Sequence, residues 1–237
     1  MKVRRWLHCL CACLLGASAV QAHDSITADA ASRYLQQAET LQTAALAAAA
    51  PAQRSAAWLS LGQMIEEIVD LLNRDVAAHG DVQGLPSRLL VSELPRRGVV
   101  LQRTPGTGRF VMPLKYYEEA MRIAPDRRDP EAAYRLLRAR FHESFDADPF
   151  QSRLDAAGID AQVMLGEGLL GTAHRETEEI EFIVAVHRMQ RARLERGPRG
   201  SHFSALARQS AEAFVSRHPD SLRSDAVRAM MKSIPAR

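Results

Sequence analysis

The chain has 237 residues, 46% of them hydrophobic, with 31 basic against 28 acidic side chains and three cysteines. That length suffices for one substantial core or two small ones. The formal net charge of +3 is too small to point to a nucleic-acid binder.

The N-terminus, "MKVRRWLHCLCACLLGASAVQAHD", sets Lys2, Arg4 and Arg5 ahead of an apolar run from Trp6 to Val20. Val20-Gln21-Ala22 then offers small residues to a signal peptidase. We read residues 1–22 as a secretory signal peptide cleaved after Ala22, which makes the protein periplasmic or secreted. A lipid on Cys13 and a twin-arginine signal at Arg4-Arg5 are the alternatives. Apolar residues continue past Cys13, and nothing beyond the arginine pair supports the second. Cleavage removes Cys9, Cys11 and Cys13, and with them any disulfide, thiolate ligand or cysteine nucleophile. It also removes three cations and no acid, so residues 23–237 are formally neutral. The apolar run is short for a membrane span and nothing later approaches it, so no transmembrane segment is expected.

Residues 27–50 are rich in alanine and hold no glycine or proline, which predicts a helix with Tyr34, Ala38, Leu41 and Ala45 along one stripe. Pro51 suits the first turn of a second helix. Trp58, Leu61, Ile65, Ile68 and Leu72 follow at alternating spacings of about three and four, one apolar seam. The two stripes predict an antiparallel hairpin over 27–80, ended by Gly80 and Gly84. Glu66 and Glu67, next to Ile65, are expected to face water.

A short helix is expected over 85–94, between Pro86 and Pro95. "GVVLQRTPGTGRFVM" then carries β-branched residues on both sides of a Pro-Gly turn, which predicts a small β-hairpin over 99–112, packed as a flap on helices because one hairpin is not stable alone. Helices are expected over 114–124 and 129–145. Gly158, Gly166, Gly168 and Gly171 predict short helical pieces over 150–171. A long helix over 172–196 follows, with Ile180, Ile183, Val184 and His187 inward. The last helices fall at 203–217 and 221–233, split by Pro219. The fold class is therefore all-α, helical hairpins or a bundle with one β insertion, in one mostly helical domain over 23–237 whose C-terminal helices span 114–233.

Charge is uneven late in the chain. Ten acids lie between Glu143 and Glu181 against Arg153 and Arg175, and Arg188, Arg191, Arg193, Arg196 and Arg199 then face only Glu195. Two solvated helix faces that partly pair are the expected outcome; a basic docking patch is the alternative.

Few residues suggest chemistry. In "RFHESFDADP", His142 and Asp146 share a helix face with Glu143 and Asp148 close by, a set that suits a divalent metal or acid–base work. It is not the His-Glu-x-x-His zinc motif, because Asp146 stands where the second histidine belongs. An acidic helix end, buried through Phe141 and Phe145, is the plainer reading. His174, Glu178 and Glu181 share a face without the paired Glu-x-x-His of a di-iron bundle. Asp75 and His79 share a face where a histidine suits the helix dipole. "TPGTGR" lacks the phosphate-loop lysine and reads as a turn. No catalytic residue is assigned, and no cofactor or metal is expected.

Tyr117, Ala120, Met121 and Pro125 put an aromatic and a small residue on one helix face and a proline at its end. Ala207, Ala211, Phe214, Val215 and Pro219 follow a similar order. In these residues the chain resembles the second helix of a tetratricopeptide repeat, although the two prolines are not separated by a multiple of that repeat's period of about 34 residues and Leu137 stands where its first-helix glycine belongs. The resemblance implies stacked helix pairs that bind protein. The expected function is an exported binding or scaffold protein of the cell envelope, without catalysis, whose partner is another protein or peptide and not nucleic acid. The alternative is a metal-dependent or acid–base enzyme centred on His142, Glu143 and Asp146.

Overall fold

Thr27 opens the first helix by accepting the Ala30 backbone N–H on its hydroxyl at 3.1 Å, one of the donors that a helix start otherwise leaves unpaired. The computed structural model describes residues 26–104, 107–123, 129–145, 154–195 and 199–234. Among them are nine α-helices and no β-strand. The all-α expectation is met. The signal peptide, its cleavage point, Asp146 and Asp148 lie outside the described residues. The chain divides into two compact units, Ala22–Glu143 and Ser144–Arg237.

In the first unit, α1 (Ala28–Ala47) and α2 (Pro51–His79) form the hairpin. Pro51 occupies the first turn, and Gly80 ends α2 at φ 80°, a left-handed conformation that costs glycine little. Arg54 fastens the turn between them by donating from Nε and Nη2 to the Ala48 carbonyl at 3.0 and 2.9 Å. The predicted seam is buried along its length, Trp58, Leu61, Ile65, Ile68 and Leu72. On α1 the fully buried positions are Ala31, Leu35, Ala38 and Ala45, with Tyr34 and Leu41 flanking them, partly buried. Alanines opposite bulky residues let the two helices approach closely.

Helix α3 (Leu85–Arg96) packs on α1, burying Ser87, Leu90 and Leu94. Helix α4 (Leu114–Ile123) packs on α2 through Tyr116, Tyr117 and Ala120. Trp58 stacks on Tyr116 with ring centroids 5.9 Å apart, and Ser55 Oγ donates to the Ala120 carbonyl at 2.8 Å. Glu66 does not face water: it is only 6% exposed, because α2 has a second packed side. Helix α5 (Pro130–Phe145) follows.

The hairpin expected over 99–112 does not form. The segment makes one isolated antiparallel bridge, Arg103 with Phe110. Two of its residues bond to side chains of the helices as well. The Val100 N–H donates to the Tyr116 hydroxyl at 2.7 Å, and Phe110 is held by Asn73. With the Val100 N–H drawn to α4, pairing does not extend beyond that bridge.

The second unit is arranged around α7 (Thr177–Leu194), which is buried on nearly every side, from Ile180 through Met189 to Ala192. A helix covered all round is a central one. Helices α6 (Ala156–Leu170) and α8 (Gly200–Arg217) pack against it, and α9 (Leu222–Met231) packs on α7 and α8. The short pieces expected over 150–171 are instead the continuous α6. Asp155 caps it by accepting the Gly158 N–H at 2.7 Å. Ile159, Gln162, Gly166 and Leu169 form its buried face. Each glycine costs a helix about 1 kcal/mol, and tertiary burial of that face outweighs the sum. Helix α7 starts later than expected because residues 171–176 turn, with Ala173 at φ 52°.

The acids of α6 and the arginines in the second half of α7 pair, as expected. Arg191 lies 3.0 Å from Asp160 and 2.7 Å from Glu195, and Arg188 binds Glu167. The guanidinium of Arg191 also covers the Phe203 ring at 4.0 Å, a cation–π contact. No helix among the described residues is long and apolar enough to cross a membrane.

Candidate functional site

Three places concentrate polar or apolar groups in a way that invites a function. The first is buried in the unit Ala22–Glu143. Glu66 on α2 accepts the Tyr117 hydroxyl from α4 on one oxygen, while Arg135 and Arg138 from α5 reach the other, Arg135 at 3.2 Å. Arg135 also binds Glu131 at 2.7 Å, and Gln63 Nε2 donates to the same carboxylate at 3.3 Å. Burial raises the Tyr117 pKa well above the ordinary tyrosine value, with Arg135 opposing, so the phenol stays protonated and donates. Burial likewise raises the nearby Asp70, against the pull of Arg74 and Arg109. Two guanidiniums and a phenol saturate the Glu66 carboxylate. The arrangement ties α2, α4 and α5 together and presents neither a nucleophile nor a base. Helical periodicity missed it because Glu66 stands on the side of α2 that carries Ser55 and Gly62, which has no hydrophobic signal.

The second place is the set singled out in the sequence at the end of α5. His142 is half-buried with its ring edge-on to Phe141, centroids 6.0 Å apart, and Glu143 is exposed. Successive helical residues diverge by about 100°, so the structure does not bring these two together. No group of three metal-ligating side chains occurs among the described residues. His174, Glu178 and Glu181 also separate. His174 precedes α7 and accepts the Glu176 N–H at 3.1 Å, Glu178 accepts from Ser221 at 2.6 Å, and Glu181 pairs with Arg217 and His218. Asp75 and His79 do meet, at 2.9 Å. Burial works to raise the Asp75 pKa, but hydrogen bonds from the Gln83 and Gly84 backbones, His79 and Ser87 prevail and hold it below the ordinary carboxylate value. That carboxylate closes the turn after α2.

The third place is the outer face of α3. Leu85 is 81% exposed and Leu89 is 38% exposed; four apart, they lie on one side of the helix. Arg88 flanks Leu85 on the adjoining side of the helix, its Nε donating to the Val82 carbonyl at 3.3 Å. Beside them is a shallow depression lined by Asp81, Val82, Arg88, Val91, Ser92 and Arg103, with Arg103 bound to Asp81 at 2.9 Å. Such a face offers apolar contact and a cation. The α3 helix was expected from its prolines, but its exposed leucines follow only from knowing which side packs on α1. Comparison with known protein families, with curated proteins and with solved structures finds no match to this chain.

Proposed function

We propose that this is an exported helical protein that binds another protein or peptide of the cell envelope and performs no catalysis. The observation that carries the reading is the exposed Leu85–Leu89 pair on α3 with Arg88 beside it. Adjacent apolar side chains beside a cation form the kind of small patch that a partner covers. Two further features support it. The charged clusters of both units are engaged in pairs within the chain. Tyr117 and Ala120 on α4, and Ala207, Ala211 and Phe214 on α8, also resemble the packing face of a tetratricopeptide helix, a protein-binding element. Export rests on the sequence of residues 1–22.

A photo-crosslinking residue at Ser92, expressed in the native envelope, tests the binding face. A discrete protein adduct is expected, lost in Leu85→Ser/Leu89→Ser while the melting temperature is kept. No adduct, or the same adduct in the double variant, overturns the reading. Stoichiometric metal in the purified protein that disappears in His142→Ala would establish the enzyme reading instead. Intact mass tests export separately: a chain beginning at His23 without lipid is expected, and an acylated Cys13 or an uncleaved chain contradicts it.

A further inference from the structure

The charges around α3 do not all cancel. Glu93 continues the stripe begun by Leu85 and Leu89, and it is paired with Arg96 at 2.7 Å. In the depression beside the stripe, Asp81 accepts the Val82 N–H at 2.7 Å and the Arg103 guanidinium at 2.9 Å. Arg103 is held further over the Phe110 ring at 4.5 Å. Asp75, from the end of α2, is taken up by His79 and by the Gln83 and Gly84 N–H groups. Arg88 is left. It is exposed, it donates to the Val82 carbonyl, and among the described residues no carboxylate lies within ion-pair distance of it. Arg88 and Arg103 both draw on Asp81 electrostatically, but the direct pair is Arg103's.

The face itself limits what could use that charge. Helix α3 has 12 residues, so it is about 18 Å long. Two leucines and an arginine make a surface far smaller than the roughly 800 Å² that each of two folded proteins buries in a standard interface, so they suit a short segment. No strand among the described residues offers an edge for an extended peptide to join. A helical segment with apolar residues one turn apart matches the spacing of Leu85 and Leu89. One cation flanked by Asp81 and Glu93 suits a single carboxylate better than a densely anionic surface such as a lipid bilayer.

We propose that α3 docks a short amphipathic helix of another protein, which lays apolar side chains on Leu85 and Leu89 and sets an Asp or Glu carboxylate against Arg88. This rests on the α3 surface being a binding face and adds the chemistry of what it binds. A guanidinium takes a carboxylate through two parallel hydrogen bonds. The Arg88 Nε is committed to Val82, and its two terminal nitrogens remain for the partner.

The photo-crosslinking residue at Ser92, in the native host, tests this with Arg88→Met, which keeps an apolar stem without the charge, and Arg88→Lys, which keeps the charge. The adduct yield should fall several-fold in Arg88→Met and recover at least in part in Arg88→Lys, at unchanged melting temperature. Mass spectrometry of the adduct formed with Arg88 in place should find an Asp or Glu within about four residues, one helical turn, of the cross-linked position. That readout decides even where a variant is destabilised. An adduct lost in Leu85→Ser/Leu89→Ser but undiminished in Arg88→Met leaves the binding face standing and overturns the acidic partner. Equal loss in Arg88→Met and Arg88→Lys, a cross-linked segment with no carboxylate there, or an adduct to lipid overturns it as well. No adduct in any background overturns the face and this inference together.

Discussion

Asn73 grips the backbone of Phe110 with both ends of its amide: Nδ2 donates to the Phe110 carbonyl at 2.9 Å, and Oδ1 accepts the Phe110 N–H at 2.7 Å. The side chain acts as one residue of a neighbouring strand would, and it anchors residues 99–112 to α2. Phe110 is 5% exposed and lies under the Arg103 guanidinium at 4.5 Å, so water does not readily replace the amide. Asn73→Ala leaves a buried donor and acceptor without their partner, a change that costs about 1–3 kcal/mol each. Asn73→Asp keeps the acceptor but sets a carboxylate oxygen against the Phe110 carbonyl, so it is expected to destabilise as well. Chemical denaturation ranks the variants; a silent Asn73→Ala contradicts the clamp.

Glu66 and Glu67 are neighbours with opposite surroundings. Glu67 is exposed, whereas the Glu66 side chain is buried between Tyr117, Arg135 and Arg138. Removing one partner of a buried ionic cluster leaves uncompensated charge and costs on the order of 3–5 kcal/mol. Glu66→Ala is therefore expected to destabilise about as much as Ile65→Ala in the seam, at about 2–5 kcal/mol, and Glu67→Ala by about half a kcal/mol or less. Thermal melts of the three variants decide it. Equal effects at Glu66 and Glu67 contradict the cluster.

The contrast explains what the sequence made legible. The α1–α2 hairpin was readable because Trp58, Leu61, Ile65, Ile68 and Leu72 are apolar at helical spacing, and Pro51 and Gly80 mark its ends. The opposite side of α2 also packs, through Ser55, Gly62 and Glu66, but these residues carry no hydrophobic signal, and their burial depends on α4 and α5 arriving from later in the chain. The same limit applies to residues 99–112. Their β-branched pattern was real, yet the Val100 N–H goes to the Tyr116 hydroxyl rather than across the hairpin, and pairing stops at one bridge. In α6, glycine counting misjudged local propensity against tertiary burial of Ile159, Gln162 and Leu169.

His187 has no exposed surface, and its burial lowers its pKa from 6.5 to about 4. The folded state disfavours the charged imidazole, so its contribution to stability is fully present above the unfolded value of 6.5 and is lost as pH falls from there toward about 4. Linkage puts the loss by about pH 4.5 at roughly 2–3 kcal/mol. Carboxylates elsewhere in the chain titrate in the same range, so the informative quantity is the difference from His187→Leu. Between about pH 7 and about pH 4.5 that difference should move by the same roughly 2–3 kcal/mol in favour of the variant. A pH-independent difference would mean that the imidazole accepts a proton in the folded chain as readily as in the unfolded one.

Two glycines in helices make opposite predictions for the same substitution. A Cβ added at Gly62 would lie 2.6 Å from Tyr117 Cε1, 3.0 Å from its Cδ1 and 3.2 Å from Tyr116 Cβ. The Tyr117 ring cannot swing away cheaply, because its hydroxyl is bound to Glu66 and the residue has no exposed surface. Gly168 lies in α6 with nothing within 4 Å of an added Cβ. In both helices alanine gains about 1 kcal/mol of propensity over glycine. At Gly168 that gain is unopposed, and Gly168→Ala should stabilise by up to about 1 kcal/mol. At Gly62 overpacking of about 1–3 kcal/mol opposes it, with further loss if the Tyr117–Glu66 bond breaks, so Gly62→Ala should be net destabilising. The pair is measured by urea denaturation. Added to a chain that already carries Tyr117→Leu, which removes the ring and its hydroxyl, Gly62→Ala should lose most of its penalty. If the penalty persists in that background, the close approach of α4 to α2 at this glycine is not its cause.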